Sequence, residues 1–354
     1  MRIIAFLRSA ATILVVTLAI DFAVTLSIPA HFLDSWLAAR DRDGYIYDRT
    51  VAWHHDIRPN IETTRLWGSD SYPFKSDALG FRHGACAADN PVAEKNNTFF
   101  VVGDSFAEGL GLPFEQTFAG MLACAYREQG IAVRNLGTAI YSPIIYHRKI
   151  EEAVRRLAIK PREIVVFLDI SDIHNDAVDY VEIDGRVYSE RPTTARRIKD
   201  FLKHNLATFG VLFELNQRYM VQHATPITVQ GNDLSRWTVD KKLYEEWGKR
   251  GLANASANLE KIVAQCQAWN CKLTLVVYPW PDQIASGDRD SIQVRHWRDW
   301  ADKNGVRFID AFGSFFTGPA DETIRNLFIR GDAHFNEAGS RGIFDTVWKR
   351  LAVN

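Results

Sequence analysis

The sequence predicts an α/β protein in which a parallel sheet of about five strands lies between two layers of helices. Three observations predict it. Over residues 96–354, β-branched and aromatic runs alternate with segments of helical periodicity. The runs are apolar throughout rather than at every second residue. The first of them ends in Gly103-Asp104-Ser105, where a helical segment begins. Strands buried on both faces need no alternation, and parallel strands need helical crossovers. The expected strands are 98–102, 132–135, 163–168, 272–278 and 306–309; the expected helices are 115–129, 146–157, 254–269, 290–304 and 336–351. That rhythm fits a flavodoxin-like three-layer α/β/α sandwich, which binds ligands outside the carboxyl ends of its strands.

The elements before and within this core follow in order. Residues 10–33 are an apolar stretch of membrane-spanning length, preceded by Arg2 and Arg8 and interrupted by Asp21 and Pro29. Residues 1–36 are therefore expected to form an N-terminal transmembrane helix, or signal anchor. The basic flank places its start in the cytoplasm and the chain after Trp36 outside. No small-x-small cleavage site stands out, which favours an uncleaved anchor over a removed signal peptide; a buried helix of a soluble protein is the bland alternative. Asp21 at mid-bilayer would cost about 2.5–3.5 kcal/mol, or it marks a helix contact. Residues 37–95, rich in aromatics and turn formers, read as a lead-in that packs on the core. After the third strand, residues at about 177–250 form an insertion longer than a crossover requires. It holds a hairpin pattern at 180–188 centred on Asp184-Gly185 and a helical pattern at 194–220. The insertion could cap a site, meet a partner or simply decorate the core.

At 354 residues, one α/β domain with these additions accounts for the length. A net charge of −1, with no run of Lys or Arg, leaves no electrostatic case for nucleic acid. Cys86, Cys124, Cys266 and Cys271 lack zinc-site spacing. Disulfides are plausible in an exported chain: Cys266 with Cys271 across a tight turn would leave Cys86 with Cys124. The other pairings, and free thiols, stay open.

The chemistry is carried by two blocks far apart in sequence, Gly103-Asp104-Ser105-Phe106 and Gly331-Asp332-Ala333-His334-Phe335-Asn336. A serine hydroxyl is a weak nucleophile until a neutral imidazole takes its proton, and the imidazole needs an acid to fix its tautomer. Ser105, His334 and Asp332 fill those roles. Ala107 stands where a Gly-x-Ser-x-Gly elbow needs its last glycine, so the block is not that motif.

This pattern resembles the SGNH, or GDSL-type, hydrolase superfamily over roughly residues 72–352. The Asp-x-His spacing, Phe335-Asn336, Gly339 and the Leu79-Gly80-Phe81-Arg82 lead-in are most similar to the membrane-associated branch that modifies bacterial surface polysaccharides. The resemblance implies an oxyanion hole built from the Ser105 amide, a glycine after the second strand, matched by Gly137, and an asparagine in a third block. This chain has Asp169-Ile170-Ser171-Asp172 there, so Ser171 takes the asparagine's place, with Asn175 as substitute. Asp169 and Asp172 are excluded from that role while ionised, because a carboxylate only accepts. The same segment superficially resembles phosphohydrolases of the haloacid dehalogenase type, but Ser171 replaces the second aspartate that they need. His147, His174 and His296 have no paired acidic motif. Trp280, at the end of the fourth strand, is a candidate substrate-binding plane for a sugar or acyl chain, or equally a pocket wall.

The expected function is a serine-dependent ester hydrolase or O-acyltransferase. It would act on an acyl group, acetyl for choice, of a cell-surface glycan or another ester, anchored in the bacterial inner membrane with its catalytic domain in the periplasm or outside. A transferase would need a membrane-bound acyl-donor partner. No spacing implies a metal or organic cofactor. The alternative is a non-catalytic binding or assembly module of an envelope machine, which the altered third block favours and the intact Ser, Asp and His oppose.

Overall fold

A computed structural model describes residues 2–30, 33, 46–50, 53–67, 70–86, 97–189, 202, 205–223 and 233–351. Helix α1 (Arg2–Thr25) comes first, followed by two antiparallel hairpins, β1 (Tyr47–Thr50) with β2 (His54–Ile57) and β3 (Glu62–Trp67) with β4 (Asp70–Lys75). The core then runs through β5 (Thr98–Gly103), α2 (Ser105–Glu108), α3 (Phe118–Arg127), β6 (Ala132–Asn135), α4 (Pro143–Leu157) and β7 (Glu163–Leu168). A hairpin of β8 (Tyr180–Ile183) and β9 (Arg186–Ser189) and helix α5 (Ala207–His223) precede α6 (Lys249–Trp269). Strand β10 (Lys272–Val277), α7 (Ile292–Asn304), β11 (Arg307–Asp310), α8 (Ala320–Leu327) and α9 (Glu337–Leu351) complete it.

The central sheet has the order β11-β10-β7-β5-β6 and is parallel throughout. Every residue of β5 and of β7 is buried, which is why these strands read as unbroken apolar runs. The order reverses between β5 and β7, where Gly103 pairs with Phe167. Ser105 and Asp169 therefore leave the sheet side by side at its carboxyl edge, the place where such sheets open a crevice.

Several elements differ from expectation in instructive ways. The segment expected as one helix over 115–129 is a 3₁₀ turn (Phe114–Gln116) and then α3. Thr117 separates them by accepting from the Gly120 amide at 3.0 Å, an N-cap that competes with helix continuation. The helical pattern at 194–220 appears as α5, with 190–201 outside the described residues. The Asp184-Gly185 turn forms as expected, both residues having positive φ. Trp237 and Trp247, from the later part of the insertion, are buried in the main core, and the Trp237 indole donates to the Ile170 carbonyl at 3.2 Å. That part is packed structure.

The chain divides into two compact units, Met1–Ile46 with Arg191–His223 and Tyr47–Glu190 with Ala224–Asn354. The lead-in hairpins thus share a unit with the sheet. In the first unit, the Asp21 carboxylate accepts from the amides of Ala207 and Thr208 at 3.2 and 2.9 Å, satisfying donors that the start of α5 would leave open. Among the described residues no helix is long and apolar enough to cross a membrane. In the second unit, Cys86 is bonded to Cys124 and Cys266 to Cys271.

Candidate active site

Ser105 opens α2, and its position is set by Asp104, whose Oδ1 accepts the Phe106 amide at 2.9 Å as the N-cap. As the first residue of the helix, Ser105 has a backbone N–H without an intrahelical acceptor. The far end of the chain returns to it. The loop between α8 and α9 is fastened by Ile329 N–H to the His334 carbonyl (2.9 Å) and Asp332 N–H to the Ile329 carbonyl (3.0 Å). Phe335 anchors it in an aromatic cluster with Phe106, Phe315 and Phe328. In consequence His334 Nε2 lies 2.8 Å from Ser105 Oγ, and His334 Nδ1 is hydrogen-bonded to Asp332 Oδ1. An acceptor at Nδ1 holds the proton there, so Nε2 presents its lone pair to the serine hydroxyl. The imidazole stacks on Phe106 at a centroid distance of 4.6 Å.

Burial alone would lower the His334 pKa, but Asp332, its hydrogen bond and the facing Asp104 and Asp169 outweigh it, so the imidazole is raised. Burial likewise pushes Asp332 up, and the His334 charge with the bonds from the His334 ring and amide and from Trp67 holds it below its ordinary value. The pair thus favours imidazolium with carboxylate, the ion pair formed when the serine proton moves.

Three buried carboxyl groups, Asp104, Asp169 and Asp172, lie behind the serine with oxygens within 4.8 Å of one another. Burial first, then mutual repulsion, pushes Asp104 up to about 8, and Asp172 rises for the same two reasons; burial raises Asp169. Protein donors already engage most of these oxygens, whereas a hard cation asks for bare ones. Asp172 Oδ2 accepts from Tyr146 Oη (2.7 Å) and the Asp169 amide (3.0 Å); Asp169 accepts from Trp280 Nε1 (2.6 Å) and from the Ser171 amide and hydroxyl. Asp104 Oδ2 is 3.1 Å from Ser105 Oγ. The serine hydroxyl thus has two acceptors within reach, Asp104 Oδ2 and His334 Nε2 at 2.8 Å.

The other candidates are placed as follows. The Gly137 amide donates to Asn135 Oδ1 at 3.0 Å. A Cβ at Gly137 would sit 2.6 Å from the Ala107 carbonyl carbon and the Glu108 amide, so the loop can approach α2 only as glycine. The Ser171 hydroxyl is given to Asp169 Oδ1 at 2.5 Å, and the Asn175 amide to Asp179 Oδ2 at 2.7 Å. Trp280 is 5% exposed with its N–H on Asp169, the situation of a wall and not of an open stacking plane. His174 pairs with Asp179, His147 with Arg148 and His296 with Ser256.

Residues that the motifs did not single out complete the site. Glu108, fully buried, accepts from Tyr47 Oη (2.8 Å), Arg65 (2.7 Å) and the Ala139 amide (2.7 Å), tying α2 to the lead-in and to the Gly137 loop. Trp67 Nε1 donates to Asp332 Oδ2 at 3.1 Å. Neither carries a sequence signature, because both act through contacts remote in sequence. A cavity of about 410 Å³ beside the loop that carries Asp332 and His334 is lined by Ile324, Phe328, Ile329 and Gly331 with Arg325 and Arg330.

No family model matches the sequence, and no curated protein does. Among solved structures, the chain is similar to the psychrotrophic esterase EstA from Pseudoalteromonas sp., at 13% identity and TM-score 0.39 over 72% of this chain and 99% of that one. It is similar to TesA at 15% identity and TM-score 0.40, over 72% and 98%. The acetylxylan esterase Axe2 from Geobacillus stearothermophilus, in a catalytic mutant, gives 14% identity and TM-score 0.40 over 73% and 95%.

Proposed function

We propose that this chain is a serine-dependent ester hydrolase or O-acyltransferase of the SGNH type, forming an acyl-enzyme at Ser105. The observation that carries the reading is the contact of Ser105 Oγ with His334 Nε2 at 2.8 Å, with Asp332 on the opposite ring nitrogen. In this reading Ser105 Oγ attacks the ester carbonyl as Nε2 takes its proton. The tetrahedral oxyanion collapses, and His334 returns the proton to the departing alcohol. Water or a sugar hydroxyl, deprotonated by the same imidazole, then releases the acyl group. The Ser105 amide supports the oxyanion.

The finer assignment is an acyl group, acetyl for choice, on a cell-surface glycan, with the catalytic unit outside the bacterial inner membrane. It is supported by the apolar N-terminal stretch behind Arg2 and Arg8, by two disulfides, which persist in oxidising compartments, and by the Asp-x-His spacing. A transferase would draw its acyl group from a membrane-bound donor partner. The second reading, a non-catalytic envelope module, is favoured by one observation: Gly137, Ser171 and Asn175 all spend hydrogen-bond donors on other groups.

Labelling by a fluorophosphonate probe separates the two. The wild-type protein is expected to label at Ser105 and Ser105→Ala to remain unlabelled; a folded wild-type protein that resists the probe would remove the acyl-enzyme reading. Product analysis with an activated acetyl donor, with and without oligosaccharide acceptors, separates hydrolase from transferase.

The pH dependence has a definite sign. Catalysis needs the neutral imidazole, and the folded protein raises His334 above its ordinary 6.5. The acidic limb of kcat/KM for an activated ester is therefore expected to have an apparent pKa above 6.5, a property of the coupled Ser-His-Asp unit. A limb below that value would contradict the site electrostatics.

A further inference from the structure

Asp332 has two oxygens to place. Oδ1 receives both the ring and the backbone N–H of His334, the latter at 2.8 Å, while Oδ2 receives the indole N–H of Trp67 at 3.1 Å. The Trp67 ring meets His334 edge to face, with centroids 5.2 Å apart at 86°. Space for the indole is kept by Gly111, where a Cβ would come within 3.1 Å of Trp67 Cδ1 and 2.4 Å of Ile329 Cδ1.

Trp67 ends β3, two residues after Arg65, and residues two apart in a strand share a face. Arg65 binds Glu108 at the end of the serine's helix. One short strand thus touches the nucleophile's helix through Arg65 and the acid through Trp67, joining blocks separated by more than two hundred residues of sequence.

We propose that Trp67 is a positioning residue of the triad: its indole N–H fixes the Asp332 carboxylate, and its ring fixes the plane of the His334 imidazole. The inference rests on the acyl-enzyme reading for its catalytic consequence, but its physical content is a statement about His334 and Asp332 alone. A carboxylate that loses a donor becomes more basic and holds the imidazolium more tightly. The groups that face His334 are Asp332 on its own loop, Ser105 and Asp104 at the end of β5, Asp169 at the end of β7, and the uncharged Phe106 and Trp67 rings. Trp67→Phe leaves all of those charges in place.

The experiment is a titration of His334 by NMR of histidine-labelled protein, assigned with His334→Gln, in wild type and Trp67→Phe, together with kcat/KM against pH. The titration midpoint is expected to rise in Trp67→Phe, with the acidic limb moving alkaline by the same amount and kcat falling on the order of tenfold while KM changes little. A benzothienylalanine at position 67 keeps the shape of the indole without its N–H, and is expected to reproduce the shift even if phenylalanine packs poorly. An unshifted His334 midpoint in the benzothienyl variant overturns the proposal. A shifted midpoint in a protein that never reacts with the fluorophosphonate probe supports the positioning role and removes only the acyl-enzyme reading.

Discussion

Replacing His334 by alanine is expected to lower kcat for an activated ester by roughly 10⁴- to 10⁶-fold, the largest catalytic loss available at this site apart from the serine itself. The magnitude follows from what the imidazole does. Ser105 is 2.8 Å from Nε2 and 3.1 Å from Asp104 Oδ2, and the latter is a poor substitute base because burial and the facing Asp169 push that carboxyl up to about 8, toward its neutral form. Without His334 the hydroxyl keeps its proton through the attack. Asp332→Asn is expected to cost on the order of 10⁴, since an amide at Nδ1 permits the wrong tautomer. The residues act as one unit, so Ser105→Ala combined with His334→Ala should be no worse than either alone. Steady-state rates of the single and double variants check this; losses that multiply would show that serine and histidine do not cooperate in one step.

What the sequence revealed and what it hid divide along a physical line. The five parallel strands were legible almost to the residue because burial on both faces leaves an apolar run, as in Phe99-Phe100-Val101-Val102 and Ile164-Val165-Val166-Phe167. That Ser105, Asp332 and His334 would meet was legible because the two short blocks together offer a hydroxyl, an imidazole and a carboxylate. The β3–β4 hairpin was not. Its strands mix Arg65, Thr63 and Pro73 with aromatics, and it makes contacts with α2 and with Asp332 that no local pattern encodes. The start of α6 was placed late, at 254, although the helix begins at Lys249; Gly251 lowers local propensity but lets the helix lie against the Ile173 carbonyl, which a Cβ would approach to 2.1 Å. The oxyanion donors were the least legible of all, since whether an amide is free depends on neighbours such as Asn135 and Asp179.

Arg82→Ala should be the most damaging single change to stability outside the sheet. The residue belongs to the Leu79-Gly80-Phe81-Arg82 lead-in and is 1% exposed. It donates to the carbonyls of Glu108 (2.5 Å), Gly109 and Leu112 (2.5 Å), beside the rings of Tyr72 and Phe74. Those carbonyls follow the end of α2, whose first residue is Ser105. Each acceptor abandoned in the interior costs about 1–3 kcal/mol, so a loss on the order of 3–5 kcal/mol is expected, a large part of the total stability of an ordinary domain. Lysine should recover only part of it, because one ammonium cannot span the three carbonyls that the planar fork reaches. Arg156→Ala provides the contrast: Arg156 also donates to a lead-in carbonyl, that of Leu79 at 3.2 Å, but from an exposed position, and its loss should stay within about 0.5 kcal/mol. Denaturant unfolding of the three variants decides the matter. If Arg82→Ala unfolds at the wild-type midpoint, the carbonyls have found other donors, and the lead-in does not hold the serine's helix in place.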